Sequence, residues 1–104
     1  MKLRYTPQAR LDLKALRDYI AVNLGNPTAA ARITAGIAKK CDHLRVYPHM
    51  GISLAEKTGR DTLMRVLLCE NHLVFYRVEK DCVSILRVLD GRTDYLRVLF
   101  MGGQ

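Results

Sequence analysis

The chain has 104 residues, 49% of them hydrophobic, with 17 Lys and Arg against 10 Asp and Glu and a formal net charge of +7. That length suits one domain, residues 1–104, which buries somewhat more than about 60% of its unfolded surface and needs no staples. No uninterrupted apolar run approaches the roughly 18 residues that a membrane-spanning helix needs, and the opening MKLRYTPQAR has no apolar signal core, so export is not expected.

Cys41, Cys69 and Cys82 are an odd number with no CxxC pair, a pattern expected of reduced thiols in a cytoplasm. Cys41, His43 and His49 lie close together, but their spacing fits no zinc pattern; a core thiol and two surface imidazoles are expected instead, with no metal. The basic charge is uneven. Residues 1–46 hold nine Lys and Arg against three acids, and residues 47–104 hold eight against seven. Such a balance favours phosphate polymers or an acidic protein partner; basic helices showing a solvated face are the plainer alternative.

In chain order, Lys2–Tyr5 reads as a short strand. Thr6-Pro7 opens a helix, with Thr6 as cap and Pro7 in the first turn, and Ala9, Leu13, Leu16, Ile20 and Leu24 form one apolar stripe. Gly25-Asn26 stops that helix, and Asn26-Pro27 starts a second whose buried face is Ile33, Ile37, Cys41 and Leu44. Gly36, costly inside a helix, is expected to permit close helix approach. Tyr47-Pro48 ends the second helix, and residues 48–62 read as a loop. Three strands are expected at Leu63–Cys69, His72–Glu79 and Cys82–Leu89, paired antiparallel because the links are too short for crossovers. Residues 93–100 suit a last strand or a short helix. The fold class is therefore α+β: an N-terminal helical hairpin on a twisted, mainly antiparallel sheet of about four strands. The tail, residues 102–104, is expected to fray.

The strands are apolar on both faces, and two helices cover only one face of a sheet. Phe75, Ile85 and Leu89 are expected to share rows with Arg77 and Arg87, a surface that suits a partner segment better than water. Cover from residues 48–62 or the C-terminal tail is the alternative.

Four stretches in this order, YTPQARLDLKALRDYI, LGNPTAAARI, YPHMG and HLVFYRV…ILRVLDGRTDY, resemble the RelE/ParE superfamily of toxins from bacterial type II toxin–antitoxin systems. The resemblance implies a small basic toxin, with no cofactor, neutralised in a hetero-oligomer by a cognate antitoxin. It implies one of two targets: the ribosome, where RelE-like members cleave mRNA, or DNA gyrase, which ParE-like members poison without cutting RNA. A binding module that has lost toxicity is the third reading. Ribosome-dependent cleavage is the leading expectation. Metal-free RNA cleavage needs a base, an acid and a cation for the developing phosphate charge. The resemblance places Arg92 where RelE-like enzymes carry a phosphate-binding arginine; His72, Arg65, Arg87 and Tyr95 are the supporting candidates. The match has gaps. LMRVLLC offers only Arg65 where a basic pair is expected, and Asp90 stands where ParE-like chains often carry histidine. Tyr95 would share a helical face with Arg92 only if the intervening turn is helical. Arg65, Arg77 and Arg87 also have a structural alternative, pairing with Glu56, Glu70 or Glu79 across the sheet.

Overall fold

The computed structural model describes residues 1–101. The chain runs β1 (Lys2–Tyr5), α1 (Pro7–Asp18), a π-helical turn (Tyr19–Asn23), α2 (Pro27–His43), β2 (Ile52–Ser53), α3 (Leu54–Thr58), β3 (Arg65–Cys69), β4 (His72–Val78), β5 (Cys82–Asp90) and α4 (Tyr95–Phe100). The five strands form one sheet in the order β1-β5-β4-β3-β2. All neighbours pair antiparallel except β1 and β5, which are parallel, as the helical crossover between them allows. The sheet has one strand more than expected. The addition is the two-residue β2, too short to stand out from the turn-like residues around it.

Local chemistry starts the helices as expected. Thr6 Oγ1 accepts the Ala9 amide at 3.2 Å, and Asn26 Oδ1 accepts the Ala29 amide at 3.0 Å. Ala9 and Ile20 of the predicted stripe are buried, and Leu13 and Leu16 pack against the core. Leu24 is not: it is 59% exposed. The Leu24 amide donates five residues back to the Tyr19 carbonyl, and this wider turn adds a residue that rotates Leu24 out of phase with the stripe.

The helix-side core contains Ile37, Cys41, Leu44, Val74, Tyr76, Val83, Ile85 and Val88. The other face has its own cluster of Leu54, Val66, Phe75 and Leu89, packed by Tyr95, Val98, Leu99 and Phe100. The expected partner-covered surface is thus corrected. Residues 48–62 fold into β2 and α3, residues 95–100 form α4, and together these cover the apolar part of the second face. The expected shared row also fails, because a β-bulge interrupts it. Phe75 pairs with Arg87 while Tyr76 pairs with Ile85, leaving Leu86 as the extra residue on β5. Alternation shifts by one there, so Val83 and Ile85 before the bulge and Val88 after it all face the helices.

Gly36 does permit a close approach, but of the β3–β4 turn rather than of a helix. A Cβ there would lie 3.2 Å from a Glu70 carboxylate oxygen. Gly51 is tighter still: a Cβ would lie 2.7 Å from the Val66 carbonyl oxygen and 2.8 Å from the Tyr76 hydroxyl. The YPHMG stretch needs its glycine because Tyr76 packs onto that backbone and accepts the Gly51 amide at 2.9 Å.

Candidate functional site

The two-residue link between β3 and β4 is Glu70-Asn71, and both residues have positive φ, 52° and 64°. Such a tight turn matches the twist of the strands it joins. Asparagine tolerates this conformation, but glutamate does so at a cost. The turn is held in place from two sides. Glu70 receives Arg32 of α2 at 3.1 Å, and the Asn71 carbonyl accepts the Gly91 amide at 2.9 Å. The close approach of the Gly91 backbone to Asn71 leaves a Cβ only 2.9 Å from that carbonyl oxygen.

Where this turn meets the end of β5, an open cleft of about 630 Å³ forms between the sheet end and α2, lined by Ile33, Leu68, Glu70, His72, Asp90 and Arg92 among others. His72 pairs with Asp90 across β4 and β5. Its Nδ1 lies 2.8 Å from the Glu70 carbonyl oxygen. A carbonyl only accepts, so this contact places the proton on Nδ1 and leaves Nε2 as acceptor in the neutral ring.

Arg92 is 93% exposed and forks onto its own neighbour: Nε lies 3.1 Å from Asp90 Oδ1 and a terminal nitrogen 3.3 Å from Oδ2. The Arg92 amide also donates to Asp90 Oδ1 at 2.8 Å. The side-chain bond from Arg92 is the main cause that holds the Asp90 carboxyl below its usual range, and the same bond raises the Arg92 guanidinium. The cleft therefore contains two ion pairs, Arg32 with Glu70 and Arg92 with Asp90, beside one imidazole.

Of the five candidates, the fold brings His72 and Arg92 together and places the other three elsewhere. Arg65, at the far end of β3, donates to the Gly51 carbonyl at 3.1 and 2.7 Å and to the His49 carbonyl at 3.4 Å. Arg87 reaches α1 and pairs with Asp12 at 2.8 Å, with the two side chains 24% and 10% exposed. Tyr95 turns its ring onto Phe75, centroids 5.4 Å apart, within the second core. It begins α4, so Arg92 in the preceding turn shares no helical face with it. Arg77 shares Glu79 with Arg4, at 3.7 and 3.8 Å. Sequence reasoning missed Asp12 as the partner of Arg87, and Glu70, Asn71 and Asp90 as parts of the cleft. The one local signal was a two-residue strand link ending in asparagine.

Elsewhere, Cys41 is a core thiol, and burial pushes it up to about 11. His43 and His49 are exposed. Among the described residues no group of three potential ligands gathers for a metal, and no helix is long and apolar enough to cross a membrane.

Comparison with known proteins identifies the class of this α+β domain, with its basic helical hairpin and five-stranded sheet. Residues 3–95 match the family described as ParE toxin of the type II toxin–antitoxin system parDE. The chain belongs to that family. A solved structure, "Chromosomal ParDE TA system from P. aeruginosa", contains a similar chain at TM-score 0.71 and 25% identity, over 86% of this chain and 95% of that one. A sequence search of curated proteins finds no match.

Proposed function

We propose that this toxin arrests growth by binding DNA gyrase, without cutting RNA, and that a cognate antitoxin neutralises it in a hetero-oligomer. The observation that carries this reading is the fate of the candidate catalytic side chains. Arg65, Arg87 and Tyr95 are committed to backbone carbonyls, a carboxylate and an aromatic contact. The phosphate candidate Arg92 is forked onto Asp90. A metal-free nuclease needs a base, an acid and an unneutralised cation converging on one phosphate, and the cleft offers His72 beside internally balanced charge. Membership of the ParE toxin family supports the toxin role, and the gyrase target follows the expectation that ParE-like members poison gyrase.

Brief induction of the toxin without its antitoxin separates the readings. The gyrase reading requires trapped gyrase–DNA cleavage complexes and the DNA-damage response, with transcripts intact. In-frame mRNA cuts that disappear on His72→Ala or Arg92→Ala would replace it with the nuclease reading. Neither signature, with antitoxin binding retained, would leave a non-toxic binding module.

A further inference from the structure

From the helical hairpin's outer face we infer a second binding surface, for the phosphodiester backbone of a nucleic-acid duplex. The starting point is the placement of charge on α1. Arg10, Lys14 and Arg17 recur at steps of four and three, so they form one exposed stripe. The acids of the helix do not cancel it. Asp12 is turned away from water into the pair with Arg87, where its side chain is only 10% exposed. Asp18 alone serves two of the cations, Lys14 at 2.7 Å and Arg17 at 4.0 Å. Arg10 has no acidic partner within 4.0 Å among the described residues. Internal pairing of acids thus leaves a net positive stripe on the surface.

The stripe borders a shallow groove of about 270 Å³ between α1 and α2, lined by Arg10, Leu13, Lys14, Arg17 and Thr34. The groove is smaller than sites that enclose a small molecule, which start at roughly 300 Å³. Its one apolar residue is Leu13, itself half-buried against the core. A docked protein helix would need several apolar anchors along the groove. A phosphate chain needs only cations at suitable spacing. Seven residues of helix advance about 10 Å, and one strand of a duplex carries a charge about every 3.4 Å along its axis. The three cations therefore span about three consecutive phosphates. This surface is separate from the cleft at the sheet end, and the inference does not depend on which target the toxin poisons.

The test is fluorescence anisotropy of the free, full-length chain with labelled 20-base-pair duplexes of DNA and of RNA, from 50 to 200 mM salt. Three phosphate contacts predict that affinity falls about 40-fold over that range. The variant R10Q/K14Q/R17Q should lose at least tenfold in affinity at 50 mM salt and most of that salt dependence. The variant K39Q/K57Q/K80Q, with the same change in net charge away from the groove, should keep both. Arg10→Glu alone, at an exposed position without an ion pair, repeats the test if the triple variant folds poorly by circular dichroism. Binding to both duplexes, or to one alone, supports the surface and identifies its source of phosphate. Equal loss in the two triple variants would overturn the inference, since attraction to net charge would then suffice. Tighter binding of a poly-glutamate peptide than of either duplex, abolished by R10Q/K14Q/R17Q, would also overturn it and assign the stripe to an acidic protein.

Discussion

Asp12 of α1 holds Arg87 of β5 through both carboxylate oxygens, at 2.8 and 3.1 Å, and the same carboxylate accepts the Val88 amide at 2.9 Å. The contact sits beside the β-bulge at Leu86, whose carbonyl accepts the Thr6 hydroxyl at 3.0 Å. Two side chains from the start of the helical hairpin thus supply partners where the sheet ladder is broken. The bulge, the helix orientation and the removal of an acid from the α1 surface are one arrangement.

Asp12→Ala would leave Arg87 mostly buried without its counter-charge and the Val88 amide without a partner. The expected loss is about 2–3 kcal/mol, below that for a fully buried pair because Arg87 keeps some solvent. Asp12→Asn should cost less, because its amide oxygen still accepts the Val88 amide. Urea unfolding of both variants checks this; equal midpoints for Asp12→Ala and the parent would refute the role.

Gly51→Ala should be among the most damaging single-methyl additions in the chain. Its Cβ would press on the Val66 carbonyl and the Tyr76 ring and hydroxyl, all within 2.8 Å, and overpacking of this kind costs about 1–3 kcal/mol. Tyr76→Phe removes the hydroxyl that accepts the Gly51 amide and should cost about 1–2 kcal/mol. Thermal denaturation of the two variants should rank them in that order.

Glu70→Gly should be neutral or stabilising by up to about 1 kcal/mol, although it removes an ion pair. Glycine relieves the positive φ, while the surface pair with Arg32 is worth less than about 1 kcal/mol. A clear drop in the denaturation midpoint would mean that the Arg32 clamp, not the turn, holds the cleft in shape.

Stability should fall on both sides of neutrality. Asp90 and Glu79 titrate below their usual values, Asp90 chiefly through the Arg92 side chain and Glu79 chiefly through the Ser84 hydroxyl. Groups with depressed folded values stabilise above the unfolded carboxylate range, about 4, and lose that contribution as pH falls through the folded values. Cys41 acts at the other end. Buried, it ionises near 11 rather than 9.0, so the unfolded state sheds its proton first and stability declines as pH rises through that window. Urea midpoints from pH 3 to 10 should show both limbs, and Cys41→Ala should reduce the alkaline one, to which the Tyr5 hydroxyl and Cys69 thiol, both raised chiefly by burial, also contribute.

Arg92→Ala should fold with stability within about 0.5 kcal/mol of the parent, since the side chain is almost wholly in solvent. Growth arrest by this variant, compared with the parent at equal expression, therefore reports on function rather than folding. Full toxicity would remove Arg92 from the functional surface.

Much of this was legible in the chain by itself. Thr6-Pro7 and Asn26-Pro27 marked both helix starts, because capping is satisfied within four residues. The antiparallel pairing of the three C-terminal strands, read from their short links, was equally local. So were the core residues Ala9, Ile37, Cys41 and Leu44, which follow from helical periodicity. Only the tertiary structure could decide the rest, because it rests on pairings between distant residues. A bulge at Leu86 reversed the alternation that had placed Ile85 with Phe75. Asp12, 75 residues before Arg87, pairs with an arginine that the strand pattern placed on a partner-facing surface. Residues 48–62 and α4 covered a face that strand pattern alone left bare. Periodicity tells which residues seek burial; what buries them, and which charges remain unpaired, is settled when segments far apart in the chain meet.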